Sequence, residues 1–223
     1  MLIGISGVIF MGATISACTD ALQTDEPTTG YTATQTDDAE AGETGSENNA
    51  ATAPSDYTSY AVFAGGCFWC IESDLEKLEG VGDVISGYAG GELQNPTYRN
   101  HKGHVEVVRA PYNPDIITYR ELVDYFLRHI DPFDADGQFC DRGSSYKTAI
   151  FYNSIEQLEA AEQSVAAAEA ELNQQIVTPI REFSEFWIAE DYHQDYYKKN
   201  PVRYKYYRTS CGRDARVNEV WKK

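Results

Sequence analysis

Tyr60-Ala61-Val62-Phe63-Ala64-Gly65-Gly66-Cys67-Phe68-Trp69-Cys70 is the stretch on which the reading of the fold turns. Tyr60 to Phe63 has the composition of a β-strand. Ile71-Glu72-Ser73-Asp74-Leu75-Glu76-Lys77-Leu78 is helix-forming, and Gly80 is a natural stop. Cys67 therefore sits where a strand gives way to a helix. Unpaired N–H groups and the positive end of the helix dipole favour a thiolate at that place. Two large aromatic side chains follow directly. An activated thiol beside an apolar wall suits attack on a small, weakly polar group. The plain alternative is a packing residue, because free Cys is among the most buried residue types, and glycines at such a turn need no functional reason.

The chain has 223 residues and a net charge of -17, room for one domain and an extension. Residues 1–56 hold nine acidic side chains and no Lys or Arg. Nothing in this distribution would neutralise a phosphate backbone, so nucleic-acid binding is excluded. The acidity argues for solubility rather than for a partner.

Leu2 to Ala17 is apolar and small, too short to span a bilayer comfortably. It reads as the apolar core of an export signal over residues 1–17. Its end, Ile15-Ser16-Ala17-Cys18, resembles a bacterial lipobox, which makes Cys18 the expected lipidation site. No Lys or Arg precedes the apolar run, a departure from that pattern. The alternative is an ordinary signal peptide with an incidental Cys. Residues 18–56 are rich in Thr, Ala, Glu, Asp and Gly. They cannot bury enough apolar surface to offset ordering entropy, and a disordered acidic tether is expected. The expectation is a membrane-anchored lipoprotein of the cell envelope, on the periplasmic side, with a folded domain over residues 57–223. A monomer is the default.

Strands are expected at Tyr60–Phe63, Val84–Tyr88, Val105–Arg109, Thr148–Tyr152 and Ile180–Phe183. Thr118, with Glu121 in the capping-box position, starts a helix running to about His129. Ser154, with Gln157 three residues on, starts another that runs to about Gln174. The order of strands and helices is mixed, so the class is α+β. The expected architecture is a mixed sheet with flanking helices, a two-layer sandwich of ferredoxin-like type.

Beyond the nucleophile turn, several separated blocks stand in a fixed order. They are Gly87-Tyr88-Ala89-Gly90-Gly91, Asn95-Pro96-Thr97-Tyr98, Gly103-His104-Val105-Glu106-Val107-Val108, Asp141-Arg142-Gly143 with Tyr146, Ala189-Glu190-Asp191-Tyr192-His193-Gln194, and Cys211-Gly212-Arg213-Asp214. Together with Gly66-Cys67-Phe68-Trp69 they resemble the A-type peptide methionine sulfoxide reductases over most of residues 57–216.

The resemblance implies a chemistry. Cys67 thiolate attacks the sulfur of a methionine-S-sulfoxide, free or in proteins. A protonated, partly desolvated Glu106 supplies the proton that the departing oxygen needs. Tyr88 and Tyr146 hydrogen-bond that oxygen, and Asp141 orients the network. Phe68 and Trp69 pack around the S-methyl group as substrate-binding residues. Methionine leaves, and Cys67 remains as a sulfenic acid. No bound cofactor is implied; the electrons come from an external thiol, thioredoxin or an equivalent. By pattern alone these residues read differently. Glu106 alternates with apolar neighbours and would face solvent. The tyrosines would be packing residues, and Asp141-Arg142 a surface ion pair of little worth. His101, His104 and His193 lack zinc-ligand spacing with the cysteines, and no metal site is expected.

Three cysteines are candidates for recycling the sulfenic acid. Cys211, in a polar Gly-flanked segment that could swing in, is expected first. Cys70 comes second, since a Cys-x-x-Cys disulfide is geometrically feasible. Cys140, next to Asp141, is expected as a structural or relay thiol. Two other functions remain open at this stage. One is a thiol–disulfide oxidoreductase using Cys67 and Cys70, against which Phe68-Trp69 lacks the usual filling of thioredoxin-like motifs. The other is a lipid-anchored, non-enzymatic binding module with structural disulfides.

Overall fold

The central strand β1 (Ser59–Gly65) is bonded on both sides, which is why its middle residues are all buried. The computed structural model describes residues 57–222. The signal segment, Cys18 and the acidic tether expected over residues 1–56 lie outside the described residues.

After β1 come α1 (Phe68–Leu75), β2 (Ile85–Ala89), β3 (Val105–Tyr112) and α2 (Tyr119–Leu127). A short hairpin follows, β4 (Gly137–Gln138) and β5 (Asp141–Arg142), then a 3-10 turn at Ser144–Tyr146. β6 (Thr148–Tyr152), α3 (Ile155–Leu172), β7 (Ile180–Glu182) and β8 (Phe186–Ile188) complete the sheet. The chain closes with α4 (Tyr196–Lys199), α5 (Pro201–Ser210) and α6 (Arg213–Trp221).

The six-stranded sheet has the order β7-β6-β1-β3-β2-β8. Its four inner strands are antiparallel, and only the β6–β7 pair is parallel. The inner order, with α1 after β1 and α2 after β3, is the ferredoxin-like arrangement expected for this α+β chain. Helices pack on one face, where Phe63 stacks on Phe126 of α2 at 4.6 Å between ring centroids. The opposite face carries its own buried cluster, including Val62, Ala64, Val105, Val107 and Phe151, shielded by Tyr60, Phe183 and Phe186. The sheet is therefore covered on both faces.

Local signals set the helix starts. The Thr118 hydroxyl accepts from the Glu121 N–H, and the Glu121 carboxylate accepts from the Thr118 N–H, so both arms of the capping box form. The Ser154 hydroxyl accepts from the Gln157 N–H at 3.2 Å. α1 ends at Leu75, earlier than the composition of Glu76-Lys77-Leu78 suggests, and Gly80 closes the following turn at φ +87°. From Tyr196 onward, through the polar Gly-flanked segment around Cys211, the chain forms three helices. α5 buries only Tyr204, so its pattern carries little helical amphipathicity.

Candidate active site

Gly66 adopts φ +82°, a left-handed conformation open to glycine, and an added Cβ would strike the Gln138 side chain at 2.5 Å. This tight turn delivers Cys67 as the N-cap of α1, where the Cys70 N–H donates to the Cys67 carbonyl at 3.1 Å. No acidic residue lies in the first turn of α1 to oppose an anion. Cys67 and Cys70 are both outside any disulfide, and both are buried. The next N–H, of Phe68, donates to Oε2 of Glu106 at 3.0 Å. Glu106 is 1% exposed, so the outward, solvated position that alternation suggests is not what forms. The reason is the helix layer: Glu106 pairs across β2 with Tyr88 on the face that α1 covers.

Tyr88 is fully buried, and its hydroxyl donates to Glu190 at 3.0 Å. Burial, joined by the charge of Glu190, raises its pKa far above the ordinary tyrosine value. Burial opposes the charge on Glu190, but the Tyr98 N–H and Tyr88 hydroxyl it accepts outweigh that and hold its carboxyl below the usual range. His101 stacks on Tyr88 at 4.9 Å, and its Nε2 shares a hydrogen bond with the Ser145 hydroxyl at 2.9 Å. The 3-10 turn that carries Tyr146 is thereby tied to Tyr88 and packs against β3.

The aromatic wall is built from α1 and the C-terminal segments. Trp69 stacks on Tyr196 at 3.8 Å and meets Tyr207 edge-on at 6.1 Å. Its indole N–H donates to Nδ1 of His193 at 3.2 Å. Phe68 lies 4.9 Å from the His193 ring and 6.0 Å from Tyr88. Desolvation pulls the His193 pKa down to about 4, so the ring is neutral at physiological pH.

Asp141 does not pair with Arg142. It accepts from the Tyr207 hydroxyl, while Arg142 binds Asp134. Cys140 and Cys211 form a disulfide that ties the β4–β5 hairpin to the C-terminal end of α5. Both are half-buried. Cys211 thus stands in a helical segment beside Asp141, and Cys70 is the thiol against Cys67. The hydrogen bond from Cys67 lowers the Cys70 pKa; burial works the other way, and the charges of Arg213 and Arg208 reinforce the lowering.

The donor atoms of Cys140, Asp141 and Cys211 lie within 4.8 Å of one another, but the disulfide consumes both sulfurs. Glu72, Glu76 and Asp195 form a second such group. Glu72 accepts from Ser86 and the Asp195 N–H, while Glu76 accepts from the Val84 N–H, Tyr197 and Lys198. Among the expected site residues, Cys67, Phe68, Trp69, Tyr88 and Glu106 share one region, with Asp141 joined to it through Tyr207. Sequence reading gave Glu190 and Arg213 no role and weighed His193 only as a metal ligand. Each stands in a quoted block, but only the tertiary fold reveals that it is half or fully buried.

The profile described as "Peptide methionine sulfoxide reductase" matches residues 59–223. The chain is 53% identical over 164 residues to "Peptide methionine sulfoxide reductase MsrA 2" of Rhizobium meliloti, covering 73% of this chain and 83% of that one. It is 52% identical over 167 residues to "Peptide methionine sulfoxide reductase MsrA/MsrB" of Vibrio cholerae, covering 72% of this chain. It spans only 44% of the Vibrio protein's own length. Among solved structures, reduced Mxr1 of Saccharomyces cerevisiae aligns with a TM-score of 0.61 at 32% identity, covering 65% of this chain and 86% of that one. Methionine sulfoxide reductase A of Corynebacterium diphtheriae aligns with a TM-score of 0.58 at 30% identity, covering 64% and 75%.

Proposed function

The chain belongs to the peptide methionine sulfoxide reductase family, and from that premise we propose that it reduces methionine-S-sulfoxide, free or in proteins, through Cys67. The observation that carries the reading is the join at the head of α1. Cys67 caps the helix, the following N–H holds Glu106, and the Cys70 thiol lies against Cys67.

The steps follow from these positions. The substrate S-methyl group rests against Phe68 and Trp69. Cys67 thiolate attacks the sulfoxide sulfur. Glu106 gives its proton to the oxygen, and the buried site strengthens that hydrogen bond. Tyr88 exchanges its bond to Glu190 for the substrate oxygen, and Tyr146 supplies the second hydroxyl. Asp141, held by Tyr207, orients the far wall. The oxygen leaves with Cys67 as a sulfenic acid, and two electrons pass from the cysteine sulfur to the substrate sulfur, releasing methionine.

Cys70 then attacks Cys67, expelling water and forming a disulfide. This reverses the order expected from sequence, in which Cys211 came first. The support is proximity, since Cys211 is engaged with Cys140. A dithiol form of Cys140 and Cys211 accepts the oxidation by exchange and presents it where a thioredoxin-like protein can reach. The lipobox-like Ile15-Ser16-Ala17-Cys18 supports an anchor at Cys18 and a place in the cell envelope, with a monomer as the default. No helix among the described residues is long and apolar enough to cross a membrane.

The decisive experiment supplies the protein with dithiothreitol and a peptide carrying methionine-S-sulfoxide, beside the R-epimer and Cys67→Ser. Turnover of the S-epimer that vanishes in the variant establishes the reading. Absence of turnover, with reduction of a disulfide substrate instead, turns the assignment to thiol–disulfide exchange.

A further inference from the structure

Arg213 is a large, fully buried side chain on α6 with an unusual set of partners. One guanidinium nitrogen donates to the Gly65 carbonyl at 2.6 Å and another to the His129 carbonyl at 2.9 Å. Its plane lies over the Phe139 ring, 4.4 Å from the centroid. A Cβ built on Gly66 would lie 3.4 Å from its Nη2, so the charge borders the turn that presents Cys67. No carboxylate among the described residues lies within 4.0 Å of it. Arg208, one helix earlier, differs: it is paired with both Asp74 and Asp214.

A buried guanidinium without a counter-ion is costly, because carbonyls and a ring replace only part of its hydration. Such a cation stabilises any anion that forms nearby in the same low-dielectric region. The groups facing Cys70 are Cys67 and Asp74 on its own helix, Tyr204 and Arg208 from α5, and Arg213 from α6. Asp74 opposes a thiolate and is offset by Arg208, Lys77 and their hydrogen bonds. Tyr204 is held neutral by burial. Arg213 is left as the unmatched charge.

We infer that Arg213 is a positioning residue for the thiol pair: its fork clamps the Gly65–Gly66 turn that sets Cys67, and its unpaired charge stabilises the thiolate of Cys70 for attack on oxidised Cys67. The inference rests on the reductase reading only for the use of that thiolate. The ionisation itself belongs to the fold. The placement also links the two cysteine pairs. Arg213 follows Cys211 by two residues and stacks on Phe139, the residue before Cys140, so the Cys140–Cys211 disulfide fastens both sides of the guanidinium slot.

The test needs no substrate. Thiolate ultraviolet absorbance is followed against pH in the intact protein with the Cys140–Cys211 disulfide formed. The signal of a Cys70→Ser variant is subtracted. Native Cys70 is expected to ionise below the ordinary value of about 8.5. In Arg213→Gln the midpoint moves up by about one unit or more, roughly a tenfold loss of thiolate at neutral pH. Arg213→Lys keeps a charge and restores most of the shift. A native midpoint at or above about 8.5 overturns the inference without any Arg213 variant having to fold. So does a folded Gln variant with the native midpoint. Methionine release measured in parallel reports on the reductase reading separately.

Discussion

The main-chain N–H of Phe68 and the carboxyl of Glu106 are joined at 3.0 Å, linking the residue after the nucleophile directly to β3. This bond fixes one carboxyl oxygen against the residue that follows the nucleophile. In Glu106→Gln the amide oxygen can still accept from Phe68, so the turn keeps its anchor, but the acidic proton is gone. Methionine formation in a single turnover is expected to fall by about 10²- to 10⁴-fold, with the thermal midpoint little changed. Glu106→Ala removes the anchor as well and should also destabilise the protein by about 1–3 kcal/mol. A Gln variant with native single-turnover rates would remove Glu106 from the chemistry.

The two cysteine pairs make separable demands. Cys70→Ser should release one equivalent of methionine per protein and then stall, leaving a sulfenic acid at Cys67 that a dimedone probe captures. Cys211→Ser should keep turnover driven by dithiothreitol and lose turnover driven by a thioredoxin-like protein. Continued turnover of Cys70→Ser with a protein reductant would instead restore Cys211 to the first position.

What was legible in the sequence was local. Thr118 with Glu121, and Ser154 with Gln157, mark helix starts through contacts three residues apart, and those starts form as written. The strand composition of Thr148–Tyr152 coincides with β6. Alternation misplaced Glu106 because it assumes that one face of a sheet is wet. Here Val105 and Val107 face one apolar cluster while Val108 faces the helix layer, so no position of that run is outward. The burial of Arg213 was illegible for a related reason. Its partners are carbonyls 148 and 84 residues away, and a polar helix carries no sign of them. The Cys140–Cys211 pairing spans 71 residues and was open among the cysteines for the same cause.

Glu72 is a buried carboxyl on α1 that accepts from the Ser86 hydroxyl at 2.9 Å and the Asp195 N–H at 2.6 Å. Desolvation pushes its pKa up to about 7 from 4.5. The folded state therefore holds a proton that the unfolded state has lost. Its contribution is complete below about pH 4.5 and drains as pH rises through 7, worth up to ~3 kcal/mol in all. Glu72→Gln stays neutral and keeps acceptor capacity. Its thermal midpoint should match the native protein near pH 4.5 and exceed it at pH 8 by several degrees, at about 2–4 °C per kcal/mol for a domain of this size. Calorimetry at the two pH values checks it; a gap that fails to grow with pH would show that Glu72 is ionised throughout.

His193 has the opposite sign and a functional consequence. The Trp69 indole N–H donates to Nδ1, so the remaining ring proton sits on Nε2 and the tautomer is fixed by the structure. Its pKa of about 4 lies below the ordinary 6.5, so the unfolded chain takes up a proton that the fold refuses. This part of the stability is present above about pH 6.5 and is lost as pH falls toward 4. Over pH 4.5 to 6.5 it runs against Glu72, and the native protein should show a flatter acid limb than either single variant. His193→Phe removes both the titration and the acceptor for Trp69. The indole stays stacked on Tyr196 but loses the bond that sets its rotation. A buried hydrogen bond of this kind is worth about 1–2 kcal/mol, so KM for the sulfoxide should rise about 5- to 30-fold. Single-turnover chemistry at saturating substrate should change far less, because Cys67 and Glu106 keep their own anchors. An unchanged KM in the folded variant would mean that Trp69 needs only its stacking partners to form the substrate wall.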